Sequence, residues 1–247
     1  MQTSDIIVIG AGIAGISTAS ELAAEASVTV LEMEPQVGYH ASGRSAAYFA
    51  ASYGKKIIQD ITASCETFLR QPPDGFSEVR LFTPRDCMYF GRADQAGSLE
   101  AMPKVNPRLT FLDAQAVRER VPVFSPDYLY GAMWDPMGGD LEVDALLQAY
   151  LKRLRRRGGK LAAGQEVTAL RSRAGAWTVT AGAEQYQAPV VVNAAGGWVE
   201  GIAAMAGLSS LGIQALRRTA FTIDPPDNVD HRDWPEMVDA DEEFYFK

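Results

Sequence analysis

The spacing of hydrophobic and polar positions changes period within the first 32 residues of the chain. Residues 5–10, DIIVIG, form a short apolar run that ends in glycine, which is typical of a buried parallel strand. Residues 12–25 then place apolar side chains at helical spacing, and residues 27–32, SVTVLE, return to a strand that ends in Glu32. The pattern predicts a βαβ unit of minimal length.

Beyond this unit, helical and strand-like segments alternate. Residues 57–69 predict a helix, residues 79–91 predict strands around Pro84, and residues 143–157 predict an amphipathic helix. The stretch up to Pro136 lacks βαβ repeats, which favours an antiparallel sheet. Further strands are predicted at 160–164, 166–172, 176–181 and 184–188, where the last three form a β-meander, and finally within 188–198.

Composition and charge exclude several classes of protein. With 47% hydrophobic residues in 247, the chain can bury a sizeable core, and its net charge of -8 opposes binding to nucleic acid or to anionic membranes. The N-terminal apolar stretch begins with Asp5 and contains three glycines, so we expect no membrane span. Two cysteines and two histidines, none at ligand spacing, predict no metal site, no structural disulfide and a cytoplasmic location.

Three glycines in the βαβ unit carry the first chemical signal. Gly10, Gly12 and Gly15 form G-x-G-x-x-G between the first strand and the helix, where a tight turn lets the backbone approach a pyrophosphate. Glu32, at the end of the second strand, is placed to accept hydrogen bonds from a ribose. The motif predicts a dinucleotide site; the alternative is that the glycines serve only helix–strand packing.

The segment after Glu32 separates FAD from NAD as the dinucleotide. Residues 33–54, MEPQVGYHASGRSAAYFAASYG, show no strand or helical period before Ser45, whereas a simple NAD domain would continue with another helix. This loop of small residues can fold over a pyrophosphate, with Arg44 supplying the compensating charge, and then begin a helix at Ser45. The alternative is an ordinary surface loop with one solvated arginine.

These segments together resemble a known family. IVIGAGIAGISTASELA, LEMEPQVGYHASGRSAA and VVVNAAGGWVEGIAAMAG look like the D-amino acid oxidase superfamily of FAD-dependent oxidoreductases, and the whole chain is most similar to its bacterial D-arginine dehydrogenase branch. The resemblance implies an α/β fold, in which a Rossmann-type FAD-binding domain with a parallel sheet and a β-meander is interleaved with an α+β substrate domain with an antiparallel sheet. The expected boundaries are 1–52 and 137–207 for the first domain, and 53–136 and 208–247 for the second.

The resemblance also implies which residues contact the cofactor, a non-covalent FAD. Val167 would meet the adenine, and the segment ending in Trp198 would close over the adenosine and diphosphate. The complete set of expected FAD-binding residues is Gly10, Gly12, Ile13, Ala14, Gly15, Glu32, Met33, Ser42, Gly43, Arg44, Ser45, Ala46, Ala47, Val167, Ala195, Gly196 and Trp198.

Four further residues are expected at the substrate. A guanidinium can bind the α-carboxylate bidentately, and Arg217 and Arg218 lie side by side on a predicted strand, so only one of the two can face the substrate. The resemblance favours Arg218. By resemblance, Tyr53 and Tyr245 lie near that carboxylate, and Tyr48 follows the flavin loop. Tyr48 replaces a histidine, and Cys87 replaces a carboxylate, of the D-arginine-active relatives, which favours a neutral or apolar substrate side chain.

The implied reaction is oxidative deamination of a D-amino acid by hydride transfer from Cα to flavin N5, with a quinone or O₂ as electron acceptor. Alternatives are a glycine or sarcosine type of amine oxidase, an NAD-linked enzyme, and an inactive FAD-binding fragment. Residues 242–247, EEFYFK, fall within an apparent strand, whereas members of the resembled family continue further, so we expect the chain to be truncated at its C-terminus.

Overall fold

The structure is a computed structural model that describes residues 1–227 and 229–247. Its strands, in chain order, are Gln2–Thr3 (β1), Ile6–Ile9 (β2), Val28–Leu31 (β3), Tyr48–Phe49 (β4), Phe82–Pro84 (β5), Cys87–Gly91 (β6), Thr110–Asp113 (β7), Gly131–Asp135 (β8), Gly139–Leu141 (β9), Lys160–Ala162 (β10), Val167–Arg173 (β11), Ala176–Ala181 (β12), Glu184–Ala188 (β13), Val190–Asn193 (β14), Glu236–Asp239 (β15) and Tyr245–Phe246 (β16).

The α-helices are Ile13–Leu22 (α1), Lys56–Arg70 (α2), Ala96–Val105 (α3), Ala114–Arg120 (α4), Val143–Arg156 (α5) and Val199–Met205 (α6). Short 3₁₀-helices cover Ala93–Gln95 and Gly196–Trp198. Within the described ranges, the helices are all too short or too polar to cross a membrane. The chain divides into two compact units: residues 1–46, 74–79 and 143–220 form the first, and residues 47–73, 80–142 and 221–247 form the second.

The first unit contains the predicted βαβ element within a parallel sheet. Its four strands have the order β10-β3-β2-β14, and β2 pairs with β3 on one side and with β14 on the other. Ile7, Val8 and Ile9 are buried, as expected of a strand covered on both faces. A second sheet, with the order β1-β13-β12-β11, contains the predicted β-meander.

Alternation along β2 directs its side chains into two cores of the first unit. Ile7 and Ile9 face the meander, where they pack with Val179 and Tyr186. Val8 lies in the other core, which is built from α1 and α5 through side chains that include Ile16, Leu147 and Leu154. The parallel sheet therefore lies between a meander layer and a helical layer, and this arrangement fixes the turn between β2 and α1.

The second unit contains two sheets. The larger has the order β16-β15-β6-β8-β7 and is antiparallel except for the β15–β6 pair, which runs parallel. One of its faces packs Met88, Phe90 and Met237 against α4, and the other packs Cys87 and Tyr89 against Leu99 of α3. The smaller sheet, β4-β9-β5, is antiparallel. The predicted α/β fold with parallel and antiparallel sheets is confirmed.

Two local predictions are wrong. Ser45 does not begin a helix, because Ala47 has a φ of 57°, a left-handed conformation that a helix cannot contain, and the strand β4 follows at once. Arg217 and Arg218 do not lie on a strand, because residues 208–227 form neither helix nor strand and are exposed throughout. The domain boundaries expected from the sequence stay a prediction.

Candidate functional site

The glycine turn between β2 and α1 is shaped by close backbone approaches. Gly10 has a φ of 102°, and a side chain there would overlap the carbonyl oxygen of Ala194. A Cβ at Gly15 would overlap the carbonyl oxygen of Gly10, whereas one at Gly12 would lie 3.3 Å from Ser42 Oγ. The turn therefore packs closely against neighbouring backbone beside the N-terminus of α1, whose first N–H groups lack partners within the helix.

Glu32 lies beside this turn at the end of β3. Its residue is 8% exposed, and its Oε2 accepts a hydrogen bond of 2.6 Å from the backbone N–H of Ala11. Its Oε1 accepts one of 2.9 Å from the N–H of Glu34. Each carboxylate oxygen can accept more than one hydrogen bond, so these contacts orient Glu32 and leave acceptor capacity for a ribose hydroxyl.

The loop predicted to fold over the phosphates does cover the start of α1. Ser42 Oγ accepts a hydrogen bond of 2.9 Å from the N–H of Ile13, although 29 positions separate the two residues. The N–H of Gly38 donates to the carbonyl of Ala11, and the N–H of Gly43 donates to the carbonyl of Gly38. These bonds hold the loop against the glycine turn.

Arg44 is exposed and lies against its own loop. Its Nε donates a hydrogen bond of 3.1 Å to the carbonyl oxygen of Tyr39, and its guanidinium lies 5.1 Å from the centre of the Tyr39 ring. The expected neutralisation of a pyrophosphate by Arg44 stays a prediction. Ser45, Ala46 and Ala47 continue the loop into β4.

The remaining expected FAD contacts lie in the same unit. Val167 is the first residue of β11 and is buried, whereas Gly196 and Trp198 are exposed on the 3₁₀-helix that follows Ala195. The Trp198 ring lies 4.6 Å from the ring of His40, a residue that the sequence analysis did not select. His40 Nε2 in turn lies 2.8 Å from Glu34 Oε1.

Three of the expected substrate residues belong to the second unit. Tyr48 donates a hydrogen bond of 2.7 Å to the carbonyl of Arg85, and burial raises the pKa of its hydroxyl. Tyr53 donates to Glu242 Oε2 over 3.2 Å. Tyr245 lies on the edge strand β16, opposite Val238 of β15. Arg218 belongs to the first unit, on the exposed segment without regular structure.

Charged groups that no sequence motif predicts lie next to Tyr48. Arg85 Nε and Lys247 Nζ bind the two carboxylate oxygens of Asp140, at 2.6 and 2.8 Å. Burial opposes ionisation of Asp140, but these two hydrogen bonds outweigh it and lower its pKa. Glu236 is 3% exposed at the start of β15, and burial raises its pKa to about 7. The available signal was two acidic residues, Glu236 and Asp239, in the otherwise largely apolar segment WPEMVDA.

Cys87, in contrast, lies in surroundings that make its thiol unreactive. It is 1% exposed, and burial raises the pKa of its thiol. A thiol that stays protonated is a poor nucleophile.

The residues of the first unit fit an FAD diphosphate and ribose. The turn from Gly10 to Gly15 has no room for side chains at its two closest approaches, and the helix that follows presents N–H donors. Ser42 and Glu32 supply side-chain oxygen atoms at the same turn. The N–H donors suit an anionic diphosphate, and the acceptor oxygens of Glu32 suit the hydroxyl groups of a sugar.

Comparison with solved structures shows the same fold. Glycine oxidase from Geobacillus kaustophilus matches 85% of this chain with a TM-score of 0.76 and 20% identity. L-proline dehydrogenase from P. horikoshii matches 96% with a TM-score of 0.74 and 20% identity. FAD-bound L-α-glycerophosphate oxidase from Mycoplasma pneumoniae matches 84% with a TM-score of 0.74 and 15% identity. The chain spans 60%, 64% and 58% of their respective lengths.

A family model described as FAD dependent oxidoreductase matches residues 5–247, which include the glycine turn, Glu32, the Ser42 loop and the second unit. This match confirms FAD as the predicted cofactor and the broader part of the resemblance. The chain belongs to the DAO family of FAD-dependent oxidoreductases.

Proposed function

We propose that this chain oxidises the Cα–N bond of a D-amino acid with FAD as cofactor. The observation that carries the proposal is the Ser42–Ile13 hydrogen bond, which brings the small-residue loop onto the start of α1 beside Gly10, Gly12 and Gly15. In this arrangement the backbone of the turn, Ser42 and Glu32 would hold the diphosphate and ribose.

FAD, when bound, supplies flavin N5 as the two-electron acceptor for the hydride that leaves the substrate's Cα. The substrate loses a proton from its amine as well and becomes an imino acid, which water converts to a 2-oxo acid and ammonia. The chain's own residues would bind and orient the substrate. Tyr48, Tyr53, Tyr245 and Arg218 are proposed for this role on the strength of the family resemblance.

Support for amino-acid chemistry comes from the family and from the proteins that share the fold. Glycine oxidase and L-proline dehydrogenase act on amino acids by their names, and L-α-glycerophosphate oxidase does not. A glycine or sarcosine type of amine oxidation is therefore the second candidate function, favoured by the TM-score of 0.76 to glycine oxidase. A quinone or O₂ as electron acceptor and a cytoplasmic location stay predictions.

The experiment that tests the proposal follows the visible flavin absorbance of the purified protein under anaerobic conditions. We expect a mixture of D-amino acids to bleach the flavin band, and an equal mixture of L-amino acids to leave it unchanged. The 2-oxo acid and ammonia should form in equal amounts when an electron acceptor is added.

Other outcomes separate the alternatives. Bleaching by glycine or sarcosine alone would replace D-amino acids with the second candidate. A flavin band that no amino acid or amine bleaches would identify an FAD-binding protein without this activity, and a protein that cannot be loaded with FAD would contradict the proposed role of the glycine turn.

A further inference from the structure

Glu200, the second residue of α6, binds backbone groups more than ten residues further along the chain. Its Oε1 accepts a hydrogen bond of 2.7 Å from the N–H of Ile213, and its Oε2 accepts one of 3.2 Å from the N–H of Leu211. The bond from Ile213 contributes most to lowering the pKa of Glu200. The carboxylate is therefore ionised at neutral pH, and hydrogen bonds to an ionised acceptor are stronger than those between neutral groups.

The backbone between the two donors is bent, which brings both N–H groups to one carboxylate. Gly212 lies between them and has a φ of 74°, a left-handed conformation in which neighbouring N–H groups can converge on one anion. The Gly212 N–H itself donates a hydrogen bond of 3.1 Å to Ser210 Oγ. Residues 210–215 are called the tethered segment below.

The tethered segment lies against the 3₁₀-helix Gly196–Trp198. A Cβ added to Gly197 would lie 3.6 Å from the Cβ of Ala215, which is an ordinary van der Waals distance. Residues 208–227 are exposed and form neither helix nor strand. The bonds to Glu200 and the contact with Gly197 therefore fix the position of a segment that regular structure does not hold.

The residues just before the same 3₁₀-helix pack on the glycine turn. A Cβ at Gly10 would overlap the carbonyl oxygen of Ala194 and would lie 3.1 Å from the Cα of Ala195. Asn193 braces this connection: its Nδ2 donates to the carbonyl of Val199 over 2.9 Å, and its Oδ1 accepts from the N–H of Ala195 over 3.3 Å. The glycine turn and the tethered segment thus contact the same short stretch of chain, and all these residues belong to the first unit.

We propose that Glu200 is a positioning residue for FAD, and that its bonds to the tethered segment hold the 3₁₀-helix Gly196–Trp198 in the position that retains the cofactor. The inference rests on the FAD site of the proposed function and is independent of the substrate that is oxidised. The diphosphate would lie at the glycine turn, so movement of the neighbouring 3₁₀-helix would open a path for its release. Loss of the tether should therefore speed the dissociation of FAD while the fold of the first unit persists.

The first measurement is the dissociation rate of FAD from the loaded protein, followed by flavin fluorescence after rapid dilution. We expect Glu200→Gln to raise this rate about fivefold or more, because the amide loses the charge and replaces one acceptor oxygen with a donor. Gly212→Ala should cause a similar increase, because alanine disfavours a φ of 74°. An added Cβ there would meet no described atom within 4 Å beyond its chain neighbours, so only the backbone conformation is tested.

Each variant has a matched control in the same unit. Glu25→Gln removes a charge from an exposed position beyond α1. Gly175→Ala adds a methyl group at a φ of 80° in the turn between β11 and β12, where a Cβ likewise meets no described atom within 4 Å beyond its chain neighbours. Both controls should release FAD at the wild-type rate. A wild-type rate in Glu200→Gln, or an equal increase in the controls, would overturn the proposal.

Hydrogen exchange in the same FAD-loaded variants tests the tether itself. Exchange at the amides of Leu211 and Ile213 should accelerate about fivefold or more in Glu200→Gln, whereas exchange at Val8 of β2 should not change. Unchanged exchange at the two amides would overturn the proposal, and so would faster exchange there with an unaltered release of FAD. Acceleration that extends to Val8 would assign the effect to a general loss of stability and would also overturn it.

These measurements need no substrate, so they separate the inference from the proposed oxidation. If Glu200→Gln shows both effects while no amino acid or amine bleaches the flavin, the proposed function fails and the inference stands. If D-amino acids bleach the flavin but either effect is missing, the proposed function stands and the inference fails. A protein that cannot be loaded with FAD would overturn both.

Discussion

At the scale of single residues, Gly10, Gly12 and Gly15 belong to one motif but meet different structural requirements. Gly10 needs its left-handed φ of 102°, and Gly15 needs the absence of a side chain against the Gly10 carbonyl. Gly12 has more room, since a Cβ there would lie in a tight but tolerable contact with Ser42 Oγ. The motif spacing was sufficient to predict the turn, because each requirement is local to it.

We expect Gly15→Ala to lower the free energy of unfolding by about 1–3 kcal/mol, since the added methyl group must displace the backbone carbonyl of Gly10. FAD affinity should fall with it because the same backbone is proposed to hold the diphosphate. Urea unfolding and a fluorescence titration with FAD measure the two effects.

Gly201→Ala provides the control for this substitution. Gly201 lies in α6 of the same unit, and a methyl group added there would meet no atom within 4 Å among the described residues beyond its own helix and chain neighbours. Alanine there should be neutral or stabilising by up to about 1 kcal/mol, as expected of a better helix former. Equal unfolding free energies for Gly15→Ala and the wild type would show that the turn relaxes easily, contrary to the proposed close packing.

Other residues of the site could not be found from sequence. Glu236 and Asp140 are acids among many, and their importance follows from burial and from partners distant in the chain, such as Arg85 and Lys247. His40 likewise meets Trp198 only through folding. A sequence pattern reports neighbours along the chain, and these contacts join segments that are far apart in it.

At the scale of elements, the helices and strands whose apolar period is clear were predicted closely. The helix expected at 57–69 is Lys56–Arg70, and the one expected at 143–157 is Val143–Arg156. The two wrong predictions, a helix from Ser45 and a strand at Arg217 and Arg218, lie in segments where the local sequence does not determine the backbone conformation. Ala47 adopts a left-handed conformation that composition does not reveal, and a strand around Arg218 would need a paired neighbour that local alternation does not provide.

The start of α1 illustrates an element stabilised from outside. The N-cap residue Gly12, just before the helix, has no side chain to cap it, and Ser42 supplies the missing acceptor to the Ile13 N–H. We expect Ser42→Ala to destabilise the protein by about 0.5–2 kcal/mol, as the loss of a helix cap does. Hydrogen exchange at the Ile13 amide should accelerate in the same variant.

Ser17→Ala is the matched comparison for Ser42→Ala. The Ser17 hydroxyl bonds only to the carbonyl of Ala14 among the contacts described for it, within the same helix. Its removal should change stability by less than about 0.5 kcal/mol. If Ser42→Ala behaves like Ser17→Ala in both measurements, the loop does not hold the helix start.

At the scale of the whole molecule, the stability of the fold should depend on the proton of Glu236. Its pKa is about 7 in the folded protein and 4.5 ordinarily, so between these values the folded state keeps a proton that the unfolded state has released. Stability should therefore fall as the pH rises from about 4.5 to 7, by up to about 3 kcal/mol. The acids with lowered pKa values, such as Asp140, act below this range.

Urea unfolding of the protein at several pH values between 5 and 8 measures this effect. The free energy of unfolding of Glu236→Gln should be flatter across the range than that of the wild type, and Glu119→Gln, which removes the same charge from an exposed position on α4, should keep the wild-type slope. Parallel curves for the wild type and Glu236→Gln would mean that Glu236 titrates near its ordinary pKa in the folded protein.

The order of strands in the parallel sheet has a consequence for synthesis of the chain. The neighbour of β2 on one side is β3, only some twenty residues later, but its neighbour on the other side is Val190–Asn193. At a translation rate of about 5–20 residues per second, roughly 10 s or longer passes between the synthesis of β2 and that of this partner. During this interval the backbone groups at one edge of β2 have no paired strand and can bind other chains. We therefore expect a chaperone to bind the nascent chain before the nucleotide site forms.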